Sequence, residues 1–217
     1  MSKRGQFIVI EGLDGSGKDT AIDRLKIGFP DIAYTREPGG TEVAEEIRKI
    51  FLGNNNRMEK LDTLTELFLM HAGRRQHIMN FIRPNLERGV SVVCNRFDPS
   101  TYTYQLFVNG KTEVYGELFH LLHRTTVGMF EPDKYIFLDV SPEESKRRAT
   151  LRISEGGEVS RFDQKPVEYY QKIRIGYLDY LNKFCKNKHT IVDANKSREE
   201  VYRALANEIG QILAKAA

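Results

Sequence analysis

Residues Phe7–Thr20, FIVIEGLDGSGKDT, decide the fold. Phe7–Ile10 are apolar and mostly β-branched, the composition of a strand buried on both faces of a parallel sheet. Gly12-Leu13-Asp14-Gly15-Ser16-Gly17-Lys18 then fits the first seven positions of the phosphate-binding loop G-x-x-x-x-G-K-[ST]. Successive backbone N–H groups must turn inward around phosphate oxygens, and glycine permits the angles and close approaches this needs. Lys18 is placed to reach the β/γ-phosphates, and a helix opening at about Lys18 aims its positive end at them. The eighth position calls for a hydroxyl that meets magnesium, whereas this chain has Asp19, with Thr20 one step later. A nucleotide-phosphate site is therefore expected over Gly12, Asp14, Gly15, Ser16, Gly17, Lys18, Asp19 and Thr20.

The surrounding chain suits a single domain. It has 217 residues, 40% of them hydrophobic, enough for one sizeable core. No apolar run approaches the ~20 residues that span a bilayer. The opening MSKRGQ leads straight into the first strand and leaves no room for a secretory segment. Cys94 and Cys185 lie far apart, without metal or redox spacing, and read as two free buried thiols. A reducing, cytoplasmic setting is expected. The formal charge of +3 is mild and carries no nucleic-acid signature.

Strands and helices alternate without repeats or low-complexity linkers, which predicts an α/β sheet covered by helices on both faces. Helices are expected over Thr20–Phe29, Thr41–Leu52, a long stretch Lys60–Arg88 kinked near Pro84, Thr101–Phe107, Lys111–Thr126, Val167–Phe184 and Arg198–Ala214. Strands are expected over Ala33–Thr35, Ser91–Asn95, Lys134–Val140 and His189–Val192. A helix starts at Pro142–Ala149, followed by an irregular polar loop over Leu151–Ser160. The region 147–163 reads as a short mobile lid on a domain spanning 1–217.

A second basic site narrows the function. Arg36 follows the second strand, Arg48 lies in the next helix, Arg74 and Arg75 lie mid-helix, and Arg96 follows the third strand. In an open parallel sheet, ligands bind beyond the carboxyl ends of the strands, where Lys18, Arg36 and Arg96 all fall. One triphosphate does not need so much positive charge. A second anionic substrate is expected.

Taken together, these features make the chain resemble the thymidylate kinase family from its first strand to its last helix. The resembling segments are the phosphate loop, Thr35–Thr41 (TREPGGT), Glu66–His77 (ELFLMHAGRRQH), Cys94–Gln105 (CNRFDPSTYTYQ), the lid ending Arg161-Phe162-Asp163, and Val192-Asp193-Ala194. The resemblance implies a P-loop NTPase-type three-layer sandwich with a parallel five-stranded sheet, magnesium-ATP on Gly12–Thr20, and the adenine near the Val192–Ser197 loop. It implies a monophosphate gripped by Arg36 and Arg96, with Asp14 facing the acceptor's deoxyribose. Glu37, Arg48 and Arg74 fall to the acceptor pocket, Arg74 near the pyrimidine carbonyl. Ser100 and Thr101 lie at the base, Gln105 reaches it, Met70 covers it, and Tyr104 crowds the ribose C2′. Transfer of the ATP γ-phosphoryl group to a deoxypyrimidine monophosphate is the implied reaction, most simply to thymidylate. Lys18, Arg96, Asp14 and a lid arginine are the implied catalytic groups. Of Arg147, Arg148, Arg152 and Arg161, Arg152 is the first choice. Family members are commonly homodimers.

Three positions depart from the family. Asp19 replaces the loop hydroxyl, and Asn95 replaces the aspartate of an Asp-Arg pair. A charge exchange follows as a hypothesis: Asp19 takes the anionic, metal-facing role while Asn95 keeps only hydrogen bonding, with Thr20 as an alternative hydroxyl. Met70 replaces an aromatic ring that stacks on the pyrimidine, which admits altered base preference (deoxyuridylate or a 5-substituted analogue) or plain packing. Two rivals stay open, a nucleoside kinase using Glu11 or Glu37 as base and a non-catalytic nucleotide-binding protein.

Overall fold

The computed structural model describes residues 3–53, 59–156 and 165–216. The apolar opening becomes β1 (Phe7–Gly12), all six residues buried. It is followed by α1 (Lys18–Gly28), β2 (Ala33–Arg36), α2 (Glu42–Leu52), α3 (Thr63–His77), α4 (Arg83–Glu87), β3 (Val92–Asn95) and α5 (Asp98–Thr101). Next come α6 (Thr112–Val127), β4 (Lys134–Asp139), α7 (Pro142–Ser154), α8 (Val167–Phe184), β5 (His189–Asp193) and α9 (Arg198–Ala216). The five strands form one sheet in the order β2-β3-β1-β4-β5, and every neighbouring pair is parallel.

Covered sheets demand apolar centres, and the burial follows that rule. β1 is wholly buried and β4 is buried through its middle, while the edge strands β2 and β5 are partly exposed. Among the flanking helices α1 packs on α9, α3 on α2 and α6, and α7 on α8. One continuous apolar cluster joins Phe7–Ile10 with Leu25, Leu67, Tyr177, Leu181 and Leu205. Register places Ile10 beside Asn95, and Asn95 beside Arg36, so the carboxyl ends of β1, β3 and β2 come level. That alignment builds the site. Cys94 and Cys185 are buried and free, as expected.

Three expected elements differ. The long Lys60–Arg88 helix is three pieces. Asp62 caps α3 by accepting from the backbone N–H groups of Leu64 (2.8 Å) and Thr65 (3.1 Å). Its continuation widens into a π-helical turn over Ile78–Ile82 before α4. Pro84 has no N–H and its ring clashes with a carbonyl one turn back, so the widened turn lies ahead of it. The expected Thr101–Phe107 helix starts earlier, as α5, and Tyr102–Phe107 is a second π-helical turn. Finally, the irregular loop expected at Leu151 is still helix, because α7 runs on to Ser154. The Ser141 cap, Pro142 in the first turn and the Glu144 pairs to Arg147 and Arg148 favour continuation. Residues 157–163 of the predicted lid, including Arg161, Phe162 and Asp163, lie outside the described residues.

Candidate active site

The phosphate loop takes the shape its glycines allow. Gly15 and Gly17 have φ of +80° and +85°, where a side chain is strained. A Cβ on Gly15 would also lie 2.6 Å from the Ser145 carbonyl oxygen. Lys18 is buried, and its Nζ donates to the carbonyls of Gly12 (2.9 Å) and Leu13 (2.8 Å) and to Ser16 Oγ (3.3 Å). Burial, helped by the nearby Arg96 charge, pulls the Lys18 ammonium down to about 8. An arriving phosphate would restore the preference for charge. Ser145 Oγ and Arg148 Nη1 fasten the loop to α7, donating to the carbonyls of Asp14 (2.5 Å) and Gly15 (3.4 Å). Arg148 Nη1 also donates to the Ala194 carbonyl at 3.0 Å, tying the loop to the segment after β5.

Asp19 and Asn95 meet beside the phosphate loop. Asn95 Nδ2 donates to Asp19 Oδ1 at 2.7 Å, and both residues line the cavity together with Thr20. Magnesium is usually held by one or two carboxylates, waters and substrate phosphates rather than by an all-protein cage. Among the described residues no group of three or more His, Cys, Asp and Glu could hold a metal ion. One oriented carboxylate beside a phosphate loop therefore fits a cation shared with the nucleotide.

Arg96, just past β3, has a left-handed backbone with φ +69°, which costs a non-glycine residue roughly 1–2 kcal/mol. Tight partners hold it there. Its Nη2 donates to Asp14 Oδ1 at 2.5 Å, and its Nη1 donates to the hydroxyls of Tyr177 (2.6 Å) and Ser100 (3.2 Å). Burial works to raise the Asp14 carboxyl, but Arg96, Lys18 and Arg152 outweigh it and hold the group below its ordinary range. Beneath them Glu11 is fully buried. Its Oε1 accepts from the backbone N–H groups of Phe97 (2.8 Å) and Ser100 (3.3 Å), and its Oε2 from Ser100 Oγ (2.8 Å). Burial raises the Glu11 carboxyl above its usual range, against the pull of Arg96 and these donors.

Arg74 crosses the other wall, 2% exposed. Its Nε donates to Glu37 Oε2 (2.9 Å) and its Nη2 to Thr101 Oγ1 (2.8 Å), while Nη1 has no partner among the described residues. Glu37 Oε1 lies 3.1 Å from His77 Nδ1, and His77 Nε2 lies 2.7 Å from Thr35 Oγ1. Arg36 and Arg48 both donate to the Pro38 carbonyl, at 2.8 and 2.9 Å, and Arg36 pairs with Glu45. Met70 is 8% exposed and Phe68 47%, so the methionine and not the nearby ring faces inward.

The loop and both walls open on one cavity of about 840 Å³. It runs from Asp14–Thr20 past Asn95 and Arg96 to Arg36, Glu37, Arg48, Met70, Arg74, Ser100, Thr101, Tyr104 and Gln105. Arg147, Arg148 and Arg152 of α7 line it too, and Lys196 and Ser197 line the end expected to take adenine. Of the residues expected to bind the donor phosphates or the acceptor, Gly12 is set back from its wall. Three side chains assigned to the base are already engaged: the Ser100 and Thr101 hydroxyls as above, and Gln105 Nε2 on Glu66 at 3.1 Å. Arg75 lies elsewhere, donating to the Thr126 carbonyl on α6 at 3.2 Å. Sequence reasoning missed the fastening role of Ser145 and the contacts of Tyr177 and His77, because no local pattern distinguishes them from ordinary helical residues.

A parallel sheet with this loop at the carboxyl end of its central strand defines the class: a P-loop nucleotide-phosphate protein. The family model described as thymidylate kinase matches residues 10–205. A thymidylate kinase of Symbiobacterium thermophilum is 37% identical over 95% of this chain and 94% of its own length. The thymidylate kinase of Hahella chejuensis is 34% identical over 98% of this chain and 99% of its own, and that of Mycoplasma capricolum subsp. capricolum 37% over 90% of each. The chain belongs to the thymidylate kinase family, and it is a kinase.

Proposed function

We propose that this enzyme transfers the γ-phosphoryl group of ATP to thymidylate, forming thymidine diphosphate. One observation carries the reading: the cavity floored by the phosphate loop continues without a break into a second cationic wall built by Arg96, Arg36 and Arg74. Phosphoryl transfer asks for in-line positioning and neutralised charge more than for covalent chemistry. Lys18 and the loop N–H groups hold the donor phosphates. Arg96, kept on Asp14 and Tyr177, presents its guanidinium between the two substrates, and Arg152 completes the cationic wall from α7 and excludes water. Asp19, steadied by Asn95, would hold magnesium against the phosphates, and when bound the ion supplies neutralisation of β/γ-phosphate charge.

No protein base is needed, since the acceptor phosphate is already an anion. The nucleoside rival requires a carboxylate at the 5′-hydroxyl. Glu11 spends its oxygens on Phe97 and Ser100, and Glu37 spends its own on Arg74 and His77. Arg74 Nη1 supports a carbonyl-bearing base as the acceptor's head, and Tyr104 a deoxy sugar. The single apolar cluster among the described residues supports one domain over 1–217. Exposed Phe68 and Leu121 support assembly as a homodimer, and the free thiols a cytoplasmic setting. No helix among the described residues is long and apolar enough to cross a membrane, and small molecules, not nucleic acid, are the partners.

A coupled ATP-to-ADP assay with magnesium tests this, offering thymidylate, deoxyuridylate, deoxycytidylate, deoxyguanylate and thymidine in parallel. Strong stimulation by thymidylate is expected. Equal turnover of deoxyuridylate would assign Met70 a relaxed pocket. Response to thymidine alone, or to nothing in a protein that binds ATP, overturns the proposal.

A further inference from the structure

Glu11 is a fully buried carboxyl group that the reaction does not use. It is 0% exposed, absent from the cavity wall, and makes no direct ion pair with any described residue. An isolated buried carboxylate is costly unless something compensates it. Here compensation comes through a chain of hydroxyls whose protons can be assigned. Ser100 has one hydroxyl proton, and it goes to Glu11 Oε2. Ser100 Oγ, 2.7 Å from the Tyr177 hydroxyl, must then accept, so Tyr177 donates to Ser100. The Tyr177 hydroxyl in turn accepts from Arg96 Nη1 at 2.6 Å. The order is Arg96 to Tyr177 to Ser100 to Glu11, every bond pointing toward the carboxylate. Such chains polarise one another.

The same carboxylate holds the backbone on both sides of the turn. Glu11 Oε1 takes the N–H of Phe97, next after the left-handed Arg96, and that of Ser100. β1, which carries the phosphate loop, thereby sets the position of the arginine that follows β3. Tyr177 extends the hold to α8, with its ring 5.2 Å from that of Phe137 on β4.

We infer that Glu11 and Tyr177 are positioning residues, which act through Ser100 and the Phe97–Ser100 backbone to keep the Arg96 guanidinium aimed at the acceptor phosphate. This rests on the reading of Arg96 as an acceptor-side cation given above.

Steady-state kinetics on Glu11→Gln, Tyr177→Phe and the double variant test it, with ATP and thymidylate varied separately. Glu11→Gln keeps the size but replaces one acceptor oxygen by a donor, and kcat/KM for thymidylate is expected to fall on the order of a hundredfold. Tyr177→Phe deletes one hydroxyl from a fully buried ring and should cost on the order of tenfold. In both, KM for ATP should stay within about twofold, a split that general loosening of the fold would not produce. Because the two side chains share Ser100 and Arg96, with Arg96 Nη1 also reaching Ser100 directly at 3.2 Å, the double variant should lose less than the product of the two single losses. If Glu11→Gln does not fold, Tyr177→Phe by itself decides through the same split. Equal losses toward both substrates, or none, overturn the positioning role while an active wild type leaves the kinase reading intact. A wild-type chain that binds ATP and turns over no monophosphate removes both.

Discussion

The two ends of the cavity are made in different ways. At the donor end, one run of nine residues, Gly12–Thr20, supplies the turn, the N–H groups, the lysine and the helix terminus. At the acceptor end, the cationic wall is assembled from β2, α3, the turn after β3, and α8, whose contacts join residues up to 82 positions apart. The donor end works through backbone conformation and tolerates little change in shape. The acceptor end works through side-chain networks in which each member is oriented by another.

Arg96→Ala should break the comparison most sharply. Removal of one aimed donor to transferring charge costs on the order of 10²–10³ in kcat. ATP affinity, held by the loop, should change little, as direct titration with ATP would show; a parallel collapse of ATP binding would mean that the two ends are not separable. Gly15→Ala addresses the opposite end. The positive φ and the 2.6 Å approach to the Ser145 carbonyl predict a stability loss of about 2 kcal/mol, read as a lower denaturant midpoint. Donor affinity should fall with it, whereas an unchanged midpoint would show that the loop can shift freely.

The smallest effect is one of pH. Lys18 in the free protein is pulled down to about 8 by burial and by Arg96, and bound phosphates would raise it again. Below about pH 8 the ammonium is charged with or without nucleotide, so affinity is insensitive to its titration. Above it the free form has lost the proton, binding must take one up, and affinity falls by up to about tenfold per pH unit. Arg96 is held charged far above this range by its tyrosine and carboxylate neighbours, despite its burial, so the acceptor end should not share that slope. Calorimetry at pH 8.5 in buffers of different ionisation enthalpy would measure the proton uptake on the donor side. No uptake would place Lys18 in a wetter setting than its three short contacts imply.

How far the molecule was legible follows the same division. The covered parallel sheet is a consequence of the alternating pattern, and the central strands were recognisable from their unbroken apolar runs, while the strand order came only from the structure. The helix ends were less so. Pro84 signalled a disturbance in Lys60–Arg88, but not that the chain would widen over Ile78–Ile82 before it. Similarly, Leu151–Ser154 are polar enough to pass for loop, and only the capping and pairing of α7 carry the helix through them. At the site, Arg36, Arg74 and Arg96 could be placed from strand ends and family likeness. The proximity of Asp19 and Asn95 was expected, and the 2.7 Å hydrogen bond between them adds its form.

By itself the sequence determined the donor end and the class of fold. A phosphate loop is a local object, in which neighbouring residues impose neighbouring backbone angles, and period and composition carry that information along the chain. Only the tertiary structure decided that the Glu11 oxygens would be taken up by Phe97 and Ser100, that the Ser100 hydroxyl would donate to a carboxylate, and that Tyr177 would reach Arg96. Those outcomes depend on which hydrogen-bond partners remain unsatisfied once β1, β3 and α8 are packed together, and burial makes satisfying them obligatory. That competition is settled across the core, between residues the chain itself keeps far apart.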